Sequence, residues 1–249
     1  MRNFSPIAKY IIAAFFSFLF CIRANYAQNF SVIQMASSSE VIALVDTILL
    51  ANVEPEFKKN ITFSGNPQAV GYFSNGYFLG FSQASGMVLS TGSATSIDQA
   101  NTCTSQNASS NMGSGSDVDL DQLTSLSTHD ACVIEFDIML FNDSAFLSYI
   151  FASEEYHEYV NTIFNDVFGF FLSGPGISAP FTNNAMIVSL VSDTMPIAIN
   201  SINCGKEPTP CFPPPGYGPN CQYLNDNTDA SGSDFNRFVF DAFTDPFAV

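Results

Sequence analysis

Residues 131–140 read Ala131-Cys132-Val133-Ile134-Glu135-Phe136-Asp137-Ile138-Met139-Leu140, with an apolar side chain at every second position from Cys132 to Leu140. Glu135 and Asp137 fall between these positions. Successive side chains of a strand point to opposite faces, so a period of two separates an apolar face from a polar one. We therefore predict a half-buried antiparallel strand here.

Similar short segments rich in Phe, Ile and Val occur on both sides of this strand, separated by Gly, Asn, Asp or Pro. The predicted strands cover 60–64, 69–74, 77–81, 86–91, 131–140, 146–153, 167–173, 185–192, 197–202 and 236–243. One helix is predicted over residues 40–50, with Ser37 and Glu40 forming a capping box at its start. These elements predict an all-β fold, an antiparallel β-sandwich of the jelly-roll type with one short N-terminal helix.

The composition limits the classes of function. The 249 residues include 7 Lys and Arg against 23 Asp and Glu, a formal net charge of −16. Such a chain does not bind nucleic acid, since phosphate binding needs clustered basic residues. Its 47% hydrophobic residues exclude wholesale disorder.

The N-terminus has the pattern of a secretory signal peptide. Arg2 and Lys9 precede an apolar run from residue 11 to residue 22, and Ala27 is suited to cleavage. The run is too short to span a bilayer, which needs about 20 apolar residues. We predict a signal peptide at 1–27, a linker at 28–37 and a β domain at 38–249, in a secreted protein without a transmembrane segment.

Five cysteines follow the predicted signal peptide: Cys103, Cys132, Cys204, Cys211 and Cys221. Cysteines of exported proteins usually pair, and five leaves one over. A zinc site is the alternative, but no CxxC spacing and no nearby His supports it. The sequence favours disulfides and leaves their connectivity open.

The densest acidic cluster is Glu154, Glu155, Glu158 and Asp166, around His157. Adjacent Glu154 and Glu155 would point to opposite faces of a strand, so they are not expected to form a facing acid–base pair. Glu154, Glu155 and Asp166 are candidate ligands of Ca²⁺, a cation that prefers several oxygen ligands. The alternative is structural, with one Glu accepting backbone hydrogen bonds and the other solvated.

A second candidate calcium site is Asp117, Asp119 and Asp121, whose spacing matches the start of a calcium loop. The sixth position is Gln122 instead of Gly, and the twelfth is Thr128 instead of Glu. The helix–loop–helix calcium motif is therefore excluded, and another calcium-loop geometry stays open.

The tyrosines are the candidate binding surface, because their rings tolerate exposure through a polar tip. We predict Tyr156, Tyr159, Tyr217 and Tyr223 to be exposed.

Catalytic motifs have little support in the sequence. Only His129 and His157 are available as imidazole bases, and neither has a nucleophilic Ser nearby in a strand–turn–helix context.

Several motifs occur in the order found in one known family. They are Gly86–Gly92, Asp117–Asp121, Val133–Asp137, Phe151–Tyr156 (Phe-Ala-Ser-Glu-Glu-Tyr), Phe164–Ile177, Pro196–Asn203 and Phe240–Thr244. Over residues 38–249 the sequence resembles the choice-of-anchor L domain. The resemblance implies an exported bacterial protein, attached to the cell surface by a segment not present in this chain, and no established enzymatic activity. Family members usually continue beyond the last motif, so we expect the domain to be incomplete at its C-terminus.

These observations predict a non-catalytic extracellular β domain of a bacterial surface protein, with an adhesive or structural role and a glycan or protein ligand. The alternative is a calcium-dependent carbohydrate-binding module. A secreted hydrolase with a carboxylate pair ranks third.

Overall fold

The structure is a computed structural model that describes residues 29–103, 110–141, 144–192, 194–232, 235 and 237–249. The predicted signal peptide, residues 1–27, lies outside the described residues. Within them, no helix has both the length and the apolar character needed to cross a membrane.

The described residues form short strands with one α-helix. The strands are β1 Ser31–Gln34, β2 Lys58–Ser64, β3 Val70–Ser74, β4 Ser85–Leu89, β5 Val133–Ile138, β6 Ser148–Tyr149, β7 Ala152–Ser153, β8 Val167–Phe168, β9 Phe171–Leu172, β10 Met186–Ile187, β11 Leu190–Ser192, β12 Met195–Ala198, β13 Leu224–Asp226, β14 Ala242–Thr244 and β15 Phe247–Ala248. Each strand pairing among them is antiparallel. The prediction of an all-β, sandwich-like fold is confirmed.

Strands distant in sequence pair into small sheets. Three sheets have three strands each, in the orders β1-β3-β4, β13-β14-β7 and β11-β12-β8. The remaining pairs are β2 with β5, β9 with β10, and β6 with β15. Strand β14 lies between β13 and β7, so it joins the end of the chain to the segment that begins at Ala152.

Strand β5 confirms the predicted alternation. Ile134, Phe136 and Ile138 pack against a core cluster, whereas Glu135 and Asp137 are exposed. The prediction was wrong at Leu140, which is exposed, because the strand ends at Ile138 and the chain then leaves the sheet.

The helix α1, Ser38–Leu44, continues as a π-helical turn over Val45–Leu49. Val41, Leu44 and Val45 are buried, as the apolar periodicity predicts. At the N-terminus, Ser37 Oγ accepts the Glu40 backbone N–H at 3.3 Å. Glu40 Oε2 accepts the N–H of Ala36 at 2.8 Å, so the return bond falls one residue earlier than in a standard capping box.

Other element predictions need correction as well. Of the described residues in the predicted strand 236–243, only Ala242 and Phe243 lie in a strand. The segment predicted as a strand over 77–81 contains a 3₁₀ turn at Gly76–Leu79, between Asn75 and Gly80, both left-handed with φ of 61° and 75°. Strand β1 lies within residues 28–37, predicted as a linker, and Phe30 and Val32 are buried there.

Two disulfides confirm the expectation that the five cysteines after the predicted signal peptide form pairs and leave one over. Cys103 pairs with Cys211, 108 residues apart, and Cys204 pairs with Cys221, 17 residues apart. Among the cysteines that the structure describes, Cys132 is the free one. Burial raises the pKa of its thiol to about 12, so the reactive thiolate is suppressed.

Candidate functional site

The segment Glu154–Tyr159 leaves the edge of a sheet between two buried apolar anchors. Phe151 and Val160 belong to one core cluster with Ile197, Ile199 and Ile202. Strand β7 ends at Ser153, and Glu154 and Glu155 follow in a bend. The prediction that the two Glu residues point to opposite faces of a strand was therefore wrong. Both line the same pocket.

Asp166 and Glu155 form a carboxyl pair. Ser153 Oγ lies 2.5 Å from Glu155 Oε2 and 3.2 Å from Asp166 Oδ2. Burial of Asp166, together with the hydrogen bond and the negative charge of Glu155, raises the pKa of the Asp166 carboxyl well above its usual range. Asp166 therefore retains a proton that a solvated carboxyl would release.

The pocket in front of this pair is small. Its volume is about 50 Å³, and it is lined by Ser90, Thr91, Gly92, Glu154, Glu155, Asp166 and Phe240. Pockets for organic ligands have volumes of roughly 300–1,000 Å³. This pocket accommodates a few water molecules or a single ion.

Behind the segment lies a second polar group, buried and built from distant parts of the chain. Asn101 Nδ2 donates to Asp241 Oδ1 at 2.6 Å. Burial raises the pKa of Asp241 to about 7, and the charges of Glu158, Glu154 and Asp226 add to the effect. Sequence reasoning missed Asn101, because nothing local links it to a residue 140 positions away.

His157 is buried beside this group. Its Nε2 lies 3.3 Å from Asp226 Oδ1. Burial of Asp226 opposes ionisation, but its hydrogen bonds with His157 and Thr228 lower its pKa overall. Within the described part of the chain, His157 Nδ1 and Glu158 Oε1 have no hydrogen-bond partner. The sequence did point to this group, because the acidic residues around His157 form its densest acidic cluster.

The carboxylates of Asp117, Asp119 and Asp121 each accept hydrogen bonds from a different part of the backbone. Asp117 Oδ1 accepts the backbone N–H groups of Asp119 and Leu120, each at 2.9 Å. Asp119 Oδ1 accepts the backbone N–H of Thr182 at 2.9 Å. Asp121 Oδ1 accepts the backbone N–H of Thr128 at 2.6 Å and its hydroxyl at 2.8 Å. These two hydrogen bonds from Thr128 lower the pKa of the Asp121 carboxyl. Asp117 and Asp121 therefore hold nearby backbone, whereas Asp119 bonds a segment 63 residues away, and the three carboxylates accept from different parts of the chain.

Among the residues that the structure describes, no group of three or more His, Cys, Asp or Glu side chains is arranged to hold a metal ion. The pocket at Glu154, Glu155 and Asp166 does bring these three predicted ligands together. Calcium binding stays a prediction.

The tyrosines differ in exposure, and the prediction for Tyr156 was wrong. Tyr156 is fully buried, and its hydroxyl donates to the Ile202 carbonyl at 2.6 Å. Tyr159 is half-buried beside Phe164, with ring centroids 5.1 Å apart, and Tyr223 packs on Phe247. Tyr217 is 74% exposed, as predicted.

Comparison with known proteins identifies the family. The model of the choice-of-anchor L domain, a domain of bacterial surface proteins, matches residues 31–249. No curated protein and no solved structure gives a significant match. The family and the two disulfides indicate an extracellular surface protein. The match begins in β1 and includes every described strand, so the chain belongs to the choice-of-anchor L domain family.

Proposed function

We propose that the chain is a non-catalytic extracellular domain that gives a bacterial surface protein an adhesive or structural surface. The observation that carries this proposal is the size of the acidic pocket, about 50 Å³. A hydrolase must place a scissile bond between its acid and its base or nucleophile. A pocket of this size does not enclose a sugar ring or a peptide.

The hydrogen bonds of the acidic segment support a structural role for its carboxylates. Ser153 Oγ also accepts the Glu155 backbone N–H at 3.1 Å, so the same hydroxyl orders the bend and contacts both carboxyls. Asp166 is joined to the next sheet as well, since its carbonyl accepts the Ile199 N–H at 3.2 Å. The cluster therefore connects neighbouring segments of the core.

Retention of the folded chain on surfaces tests the adhesive role. Beads coated with the chain are passed over polysaccharide and extracellular-protein surfaces, and beads coated with reduced, unfolded chain serve as the control. We expect retention of the folded chain alone, with the surface polymer left intact. Equal retention of folded and unfolded chain, or no retention on any surface, would contradict an adhesive role.

A calcium-dependent module is the second candidate, favoured by the adjacent carboxyls of Glu155 and Asp166 in one pocket. Ca²⁺ takes six to eight oxygen ligands, and carbonyls and water can complete such a set. A bound cation would replace the proton that Asp166 otherwise retains.

Calorimetry with EDTA tests the calcium proposal. We expect EDTA to lower the melting temperature and added CaCl₂ to restore it, and we expect Asp166→Asn to abolish this response. Asp119→Ala, outside the pocket, is the matched control and keeps it. A melting temperature unchanged by EDTA ends the calcium proposal and leaves the first proposal intact.

A further inference from the structure

Residues 205–220, the proline loop, are mostly exposed and do not line the acidic pocket. The loop contains six prolines in sixteen residues, namely Pro208, Pro210, Pro213, Pro214, Pro215 and Pro219. Its largest exposed side chains are Tyr217 and Phe212, which are 74% and 58% exposed. Exposed aromatic rings on a loop are candidates for ligand contact.

The base of the proline loop is held firmly. The Cys204–Cys221 disulfide closes it, with Cα atoms 4.6 Å apart. The fully buried Asn203 accepts the Gly205 N–H with Oδ1 at 3.1 Å, and its backbone N–H donates to the Pro219 carbonyl at 3.0 Å. A Cβ at Gly218 would lie 2.4 Å from the Asn203 carbonyl oxygen, so only glycine permits this close approach.

The middle of the loop is fixed as well. Cys211 is joined to Cys103 in the Ser/Thr-rich segment after β4. The Glu207 N–H donates to the His157 carbonyl at 3.2 Å, which places the loop against the acidic segment. Gly216 and Tyr217 both donate their N–H groups to the Cys204 carbonyl, at 3.0 and 3.1 Å. The two rings are therefore presented on a pre-ordered backbone, which lowers the entropy lost on binding.

The chemistry of the loop selects its ligand. Proline has no N–H, so a loop with six prolines in sixteen residues has fewer backbone donors than carbonyl acceptors. The faces of the two rings carry partial negative charge and attract the C–H groups of an apolar ligand face. A neutral sugar matches both features: its hydroxyl groups can donate to the carbonyls, and its C–H face can pack on the rings. The net charge of −16 disfavours anionic ligands.

The size of the loop also argues against a protein partner as its main ligand. A stable protein–protein interface uses roughly 20–30 residues a side, more than the loop contains. A polysaccharide requires only a small contact per site, and its repeating units permit many contacts on one surface.

We propose that the proline loop binds a neutral polysaccharide through Tyr217 and Phe212. The inference rests on the proposed adhesive role and assigns it a surface and a class of ligand.

Affinity electrophoresis of the full, disulfide-bonded chain tests the loop, with soluble β-glucan, xylan, mannan and galactan as separate probes. At least one probe is expected to retard the wild type, and Tyr217→Ala and Phe212→Ala are each expected to weaken its binding about tenfold. Tyr77→Ala is the matched control, since Tyr77 is 65% exposed on a different segment. It should bind like the wild type. Unchanged melting temperatures would show that the loop variants fold.

The outcomes separate the inference from the proposed adhesive role. If a probe binds and both loop variants bind it equally well, adhesion stands and the loop assignment is overturned. If none of the four probes binds but an extracellular-protein surface does, the assignment to polysaccharide is overturned and adhesion again stands. If the wild type binds no probe and no surface, both are overturned.

Discussion

At the scale of single residues, Tyr156 shows how the acidic segment is fixed to the core. Its ring is buried beside Val160 and Ile197, and its hydroxyl donates to the Ile202 carbonyl at 2.6 Å. We predict that Tyr156→Phe lowers the free energy of unfolding by about 1–3 kcal/mol, because the Ile202 carbonyl loses its buried partner. Urea denaturation measures the change. Tyr77→Phe, at an exposed position, is the control, and equal stability of both variants would contradict the assignment.

Asp241 should make stability depend on pH. The native state keeps this carboxyl protonated up to about pH 7, whereas the unfolded chain releases the proton near pH 4. The native state therefore binds more protons between about pH 4 and pH 7, and its stability falls as the pH rises through that window. Asp166 acts in the same direction, since its pKa is also raised.

Denaturation at pH 5 and at pH 8 measures this effect. We expect the wild type to be less stable at pH 8, by an amount on the order of a few kcal/mol. Asp241→Asn keeps an acceptor for Asn101 and removes the titration, so its stability should change less. Equal stability of the wild type at both pH values, or greater stability at pH 8, would contradict this prediction.

At the scale of elements, Lys58 joins α1 and its π-helical turn to β2. The ammonium group lies 2.8 Å from Asp46 Oδ1 and donates to the carbonyls of Asp46 and Leu50, at 2.8 and 3.2 Å. We predict that Lys58→Met costs about 1–3 kcal/mol of stability, since the Lys58 side chain that makes these charged hydrogen bonds is only 10% exposed. The exposed neighbour Lys59→Met should be neutral. Equal melting temperatures for the two variants would contradict this role.

Element prediction from sequence succeeded where periodicity and burial coincide. In β5 each exposed charge alternates with an apolar side chain against the core, and in α1 the apolar face has a helical period. The prediction failed over 77–81, where four apolar positions suggested a strand. The left-handed Asn75 and Gly80 turn the chain at both ends, and Asn-Gly at 75–76 was the available signal.

The site was predictable only in its local part. Glu154, Glu155 and Asp166 were singled out from one acidic stretch, and the structure places them in one pocket. Asn101 and Asp241 are 140 residues apart in the sequence, so no local motif predicts their hydrogen bond. Tyr156 was assigned to the surface because the polar tip of a tyrosine tolerates exposure, but its ring fills the core instead.

At the scale of the whole molecule, the two disulfides differ in how strongly they restrict the unfolded chain. Loop-closure entropy predicts a loss of about 5 kcal/mol when the 108-residue link is removed, against about 3 kcal/mol for the 17-residue link. Cys103→Ser with Cys211→Ser should therefore destabilise the protein more than Cys204→Ser with Cys221→Ser. Denaturant unfolding of both double variants gives the order, and the reverse order would show that native contacts at the loop base dominate.

The molecule as a whole combines a small acidic pocket with a cross-linked, exposed loop, and the central claim is that it binds its ligand without breaking bonds. The most direct measurement is mass spectrometry of polysaccharides and proteins incubated with the folded chain, which counts new reducing ends and new amino termini. We predict no more products with the wild type than with the Glu155→Gln, Asp166→Asn variant. Products that accumulate over many turnovers with the wild type and vanish with the variant would contradict the claim.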